Sequence, residues 1–159
     1  MNKRAILKKI TTKLAEELEV YLRAAQFSRA EATHEQNKAE SKYDTRGLEA
    51  SYLARGQSRQ AAELEAAINE FGKLTVRRFA DDEAINLGAL VELEQGGESS
   101  YYLLGPRAGG TEVIHEKNEI FVITPQSPLG EQLIGKKAGQ ALELKLGKEV
   151  RLAKIIAVK

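Results

Sequence analysis

In the stretch SKYDTRGLEASYLARGQ, residues 41–57, Asp44 and Glu49 stand five positions apart on either side of Gly47, inside a sequence that otherwise reads as helix. Two carboxylates at such a break have two uses. An aspartate before a helix start accepts from free backbone N–H groups, and a glutamate in the first turn favours the helix dipole, so the pair makes a turn and a cap. Alternatively the acids are carried there for chemistry, offering oxygens to a proton or a hard cation. Other chemistries find little support. The chain has no cysteine, which removes disulfides, thiolate nucleophiles and zinc ribbons at once. His34 and His115 have no ligand-spaced partner and read as surface residues. Ser127 precedes a proline and reads as a helix N-cap, with no base near it in sequence. Gly96-Gly97 and Gly109-Gly110 lie in strand connections and do not open helices, which argues turns and not a phosphate cradle.

The elements that must position Asp44 and Glu49 are visible in the periodicity. From about residue 5 to 74 there is no proline, Ala, Glu, Lys, Arg and Leu dominate, and apolar residues recur at a spacing near that of a helix. Leu18, Ala25, Ala32 and Ala39 recur every seventh position, interleaved with Leu14, Tyr21, Ser28, Glu35 and Lys42. Ala54, Ala61 and Ile68 do the same, interleaved with Ala50, Gln57, Leu64 and Phe71. These are two heptad seams, and the break at 44–47 lets the second fold back antiparallel on the first. Large apolar residues (Leu14, Leu18, Leu64, Ile68, Phe71) sit at the base of this hairpin, whereas alanines and polar residues fill the seam near the turn. A seam that thin belongs in a finger that projects into solvent, whose second arm of about 27 residues is on the order of 40 Å long. Tyr43 and Tyr52 flank the turn and are expected to staple the arms. Arg55 and Arg59, one helical turn apart, with Arg23 and Arg29 on the other arm, are either solvated surface or a basic flank facing an anionic partner.

From about residue 86 the period changes to that of strands. LGALVEL (87–93) and SSYYLLG (99–105) form a hairpin about Gly96-Gly97, and EIFVIT (119–124) is a further strand. SPLGEQLIG (127–135) is a short helix with Ser127 as cap, Pro128 at its first position and Gly135 at its end. ALELKL and VRLAKIIAVK close the chain as a hairpin across Gly147-Lys148. The fold expected is α+β: an antiparallel two-helix coiled-coil hairpin over 1–76, then a small antiparallel sheet domain with one short helix over 77–159. With 159 residues, 24 Lys+Arg against 23 Asp+Glu and a formal net charge of +1, no whole-molecule field draws the chain to nucleic acid or membrane. The N-terminus MNKRAILKKITTK lacks an apolar h-region and no spanning stretch is present, so the cytoplasm is the expected compartment.

A two-helix finger followed by a sheet domain carrying SPLGEQLIGKKAGQ (127–140), with LGALVEL and SYYLLG upstream in matching order, resembles the Gre family of bacterial transcript cleavage factors, whose C-terminal domain is FKBP-like. The resemblance implies a protein that is not itself an enzyme. Its sheet domain docks on RNA polymerase, with Ser127, Pro128, Leu133, Ile134 and Gly135 as the candidate partner-binding residues, and its finger enters the secondary channel. Acids at the fingertip, here Asp44 and Glu49, then help the polymerase cleave backtracked RNA by securing a Mg2+ ion shared with the polymerase active site and orienting a water. No cofactor is held by this chain alone, contact with the nascent RNA 3′ end is indirect, and neither a membrane nor a small-molecule substrate is implied. Arg46, Arg55 and Arg59 are the candidates to face nucleic acid. Cleavage-competent members of that family place the glutamate three positions after the aspartate and follow it with asparagine. Here the spacing is five, the asparagine is absent, and Arg46 lies between the acids.

Three readings therefore stay open. The first is a cleavage-stimulating factor. The second is a secondary-channel regulator or inhibitor without cleavage, and the third a coiled-coil interaction module unrelated to polymerase. The thin distal seam disfavours the third, because a dimerising coil keeps large apolar residues. Prolyl isomerase activity, which an FKBP-like fold suggests by analogy, needs an aromatic-lined pocket for which only Tyr101, Tyr102 and Phe121 are on offer.

Overall fold

The protein is seen here as a computed structural model that describes residues 1–33, 45–80 and 82–159. Two long helices come first, α1 (Lys3–Thr33) and α2 (Arg46–Lys73). Both are rich in residues that lose little side-chain freedom in a helix, and both contain no proline. The start of α1 is capped by Asn2, whose Oδ1 accepts from the Ala5 N–H at 3.3 Å. Among the described residues no helix is long and apolar enough to cross a membrane.

By contacts the chain divides into two compact units, Thr12–Asn69 and Met1–Thr11 with Glu70–Lys159. In the helical unit the two seams read from the sequence form the interface. Leu14, Ala25, Ser28, Ala54 and Ala61 are buried, while Leu18, Ala32, Ala50, Gln57, Leu64 and Ile68 are half-buried. The end of α1 meets the start of α2, since Phe27, Ser28 and Glu31 share a concavity with Arg46, Glu49 and Leu53, so the arms run antiparallel. A polar layer interrupts the alanine seam where Ser28 Oγ donates to Gln57 Oε1 at 3.1 Å. Beside it, Arg29 Nη2 donates to Ser58 Oγ at 3.1 Å.

Gly56 sits on the exposed side of α2, and a Cβ built there meets nothing within 4 Å. Glycine in such a place costs helix stability through backbone entropy alone. Gly56→Ala is expected to stabilise the helical unit by about 0.5–1 kcal/mol in a thermal or denaturant melt.

The other unit is a six-stranded sheet with strands β1 (Leu90–Gln95), β2 (Glu98–Leu104), β3 (Glu112–His115), β4 (Asn118–Ile123), β5 (Ala141–Leu146) and β6 (Glu149–Val158), and one short helix, α3 (Pro128–Leu133). The spatial order is β3-β4-β2-β1-β6-β5. Hairpins about Gly96-Gly97 and Gly147-Lys148 form as the sequence predicts, with left-handed φ at Gly96, Gly97 and Gly147. The sheet is mixed, which corrects the expectation of an antiparallel one. β2 and β4 run parallel, with Tyr102 opposite Phe121, because the chain after β2 first lays β3 on the far side and returns β4 between them.

Each face of the central strands is covered. On one side Val91, Leu93, Leu104, Ile123, Leu144, Ala153 and Ile155 cluster with Leu133 of α3 and with Phe79 and Ile85 from the segment before β1. Alternation puts Leu90, Leu103, Ile120 and Val122, also buried, on the other side. The first turns of α1 supply buried Ile6, Leu7 and Ile10 to this unit, and the Phe71 ring and the Val122 side chain both lie close against Gly105. Lys9 Nζ donates to the Ile114 carbonyl at 2.7 Å, tying α1 to β3. His115, expected at the surface, is buried at the end of β3.

Candidate functional site

At the start of α2 the chain exposes Thr45, Arg46, Leu48, Glu49, Ser51 and Tyr52 on successive positions of one short segment. Asp44 and Tyr43 lie outside the described residues. Thr45 occupies the N-cap position: its carbonyl accepts the Glu49 N–H at 2.8 Å, and its hydroxyl donates to Glu49 Oε1 at 3.0 Å. Glu49 thus stands in the first turn of the helix, where the dipole favours a negative charge. One carboxylate oxygen is already engaged by the Thr45 hydroxyl, and the aspartate cap read from the sequence lies outside the described residues. The side chain remains exposed, as delivery to another molecule requires.

Arg46 lines the same concavity as Glu49, of about 350 Å³, with Phe27 and Glu31 from α1. Arg55 lines a neighbouring groove with Arg29, Thr33, Ser51 and Ser58, and Arg59 is exposed one turn further along. Tyr52 does not staple the arms. It is 64% exposed, because Ala50, Ala54 and Gln57 take the seam side of α2 and position 52 falls between them on the outward face. Among the described residues no group of three or more His, Cys, Asp and Glu could hold a metal ion.

The second sequence-derived site, SPLGEQLIG, is a locked turn with a small exposed face. Ser127 Oγ accepts from the Gly130 N–H at 3.1 Å and donates to the Thr124 carbonyl at 2.8 Å, so one hydroxyl caps α3 and ties it to the end of β4. Pro128 supplies the first helical residue without wasting an N–H group. The C-terminus is closed by Ile134 N–H on the Gly130 carbonyl at 2.9 Å and by Gly135, at φ 77°, whose N–H reaches the Ile85 carbonyl at 3.0 Å. The Gln132 side chain then pairs with both backbone groups of Lys145 on β5, at 2.7 and 3.1 Å. Of the candidate docking residues, Leu133 is fully buried in the core beneath the helix, Ser127 is half-buried, and Pro128, Ile134 and Gly135 form the surface.

An antiparallel helical arm joined to a mixed sheet with a capped short helix defines the class: a coiled-coil factor with a β domain. The sequence model of the family described as "Transcription elongation factor, GreA/GreB, C-term" matches residues 80–159, and the chain belongs to this family of transcription elongation factors. Among its relatives is the transcription elongation factor GreA of Thermosipho melanesiensis, 31% identical over 106 residues that make up 65% of this chain and 64% of that protein. GreA of Thermosipho africanus is 30% identical over a stretch of the same length and coverage. The match thus spans less than two thirds of the length of these relatives. Among solved structures, GreA factor homolog 1 (Gfh1) of Thermus thermophilus is 24% identical, with 94% of each chain covered and a TM-score of 0.40. Gfh1 of Thermus aquaticus is 23% identical, covering 95% of this chain and 92% of that one at a TM-score of 0.41.

Proposed function

We propose that this Gre-family factor binds RNA polymerase through its sheet domain, inserts the coiled coil into the secondary channel, and stimulates cleavage of backtracked RNA by presenting Asp44 and Glu49 to a Mg2+ ion of the polymerase. Family membership carries this reading. It is supported by Glu49, an exposed carboxylate in the first turn of α2, at an end of the arm where small residues let two backbones approach closely. Pro128, Ile134 and Gly135 are the proposed docking surface, held in shape by Ser127 and anchored by Leu133. Arg46, Arg55 and Arg59 flank the acids as positive charge for RNA. Chemically the chain supplies oxygen ligands and orientation, and the polymerase performs the hydrolysis.

One observation favours a second reading, a channel-binding regulator without cleavage: the Thr45 hydroxyl occupies a Glu49 carboxylate oxygen. The experiment adds the protein to a stalled, backtracked polymerase complex with magnesium and follows the length of the RNA. Shortening supports the first reading. Binding without shortening leaves the regulator, and failure to co-purify with polymerase removes both.

A further inference from the structure

Within the sheet unit, the start of α1, the segment leading to Phe79 and the last residues of β6 enclose a groove of about 1060 Å³. Five cationic side chains line it, from three separate parts of the chain: Lys3, Arg4, Arg77, Arg78 and Lys159. No described lining side chain is acidic, and the backbone carboxylate of Lys159 is taken up by Lys3. Lys3 Nζ and the Arg77 guanidinium both pack on the same ring, at 4.8 and 4.0 Å from the Phe79 centroid, so two of the charges are fixed close together. Lys3 is held there by donating to the backbone oxygens of Gly88 at 3.0 Å and Lys159 at 2.7 Å. The neighbouring acid, Glu83, is taken up by Arg77 at 2.6 Å and by the Ala80 N–H at 3.1 Å. Packing like charges into one concavity costs stability unless something negative enters it.

We propose that this groove binds a phosphate chain, as carried by a nucleotide or by inorganic polyphosphate. Guanidinium forks meet phosphate oxygens bidentately, and a lysine beside them adds a compact point charge. The charges converge on one concave site, whereas a nucleic-acid track strings them along an extended face. The proposal does not depend on polymerase binding.

The electrostatics supply a second readout. Burial, and then Arg77, lower the Lys3 pKa to about 8, with Glu83 opposing. Near pH 8.5 much of Lys3 is therefore neutral in the empty groove. A phosphate chain restores its charge, so binding takes up a proton there, and at pH 6.5, where Lys3 is already charged, Lys3 contributes no uptake.

The test titrates the full chain with tripolyphosphate by calorimetry at fixed ionic strength, with ATP and GTP as the nucleotide arm and sulfate as the screening control. Saturable one-to-one binding is expected, weakened about tenfold or more by exposed-site reversals Arg78→Glu and Arg4→Glu. Lys148→Glu, in the exposed turn between β5 and β6, leaves it unchanged. Proton uptake at pH 8.5, read from the dependence of the heat on buffer, disappears in Lys3→Met. A nucleotide that binds more tightly than tripolyphosphate assigns the nucleotide as the source, and equal affinity assigns the bare chain. Binding that is indifferent to the Arg4 and Arg78 reversals, that sulfate reproduces, or that single-stranded RNA or polyglutamate exceeds overturns the assignment, as does the absence of saturable binding.

Discussion

Glu49→Gln and Asp44→Asn are each expected to reduce RNA shortening in a backtracked polymerase complex by about 10- to 100-fold, a loss typical of groups that tune a metal site. Melting should stay within about 0.5 kcal/mol of the parent. These substitutions are chosen because they separate the two uses of the acids. Glutamine at 49 keeps an oxygen that accepts from the Thr45 hydroxyl, and so preserves the contact now made at 3.0 Å. The N-cap of α2 is Thr45, which both substitutions leave in place. If the acids only shape the turn, both variants shorten RNA at the parental rate. If they hold an ion, the missing negative charge is felt although the local hydrogen bonds survive. Polymerase binding measured on the same samples completes the result: retained binding with lost cleavage places the defect at the ion, and lost binding withdraws the assignment of these residues to the chemistry.

The heptad seams were legible because helices that meet through Leu14, Ala25, Ala54 and Ala61 with a Ser28–Gln57 layer leave a period of seven in the sequence. The glycine-turned hairpins were legible for the same kind of reason, since Gly96-Gly97 and Gly147 report φ > 0 directly. β3 was not. Its turn to β4 uses Glu116 and Lys117 at φ 51° and 67°, residues that give no turn signal, and its four residues are too few to show alternation. The parallel pairing of β2 with β4 was hidden as well, because it depends on β3 being placed outside β4, which no local pattern records. At the candidate sites, the Ser127 cap, the Pro128 start and the Gly135 end of SPLGEQLIG were legible as a short helix, whereas the packing of Gly130 and the burial of Leu133 were not, because they depend on the strands beneath. The cationic groove was invisible in a chain of net charge +1, since Lys3, Arg77 and Lys159 are brought together only by folding.

Gly130→Ala is expected to destabilise the sheet unit by about 3 kcal/mol or more, through overpacking and a lost cap together. On the scale of a domain this size the melting temperature falls by on the order of 10 °C. A Cβ at this position would stand 1.9 Å from the Thr124 carbonyl oxygen and 3.0 Å from Ser127 Oγ. Neither neighbour is a flexible side-chain end. The Thr124 oxygen accepts both the Ser127 N–H and the Ser127 hydroxyl, so moving it breaks the cap that starts α3. Moving the helix instead withdraws Leu133 from the core and strains the Gln132 pairing with Lys145. Either route deforms Pro128, Ile134 and Gly135, so weakened polymerase binding should accompany the stability loss. Pro128→Ala distinguishes the two effects, because it removes an exposed ring and leaves the Gly130 packing intact. A Gly130→Ala protein that melts like the parent would mean that the turn between β4 and α3 yields far more readily than its hydrogen bonds imply.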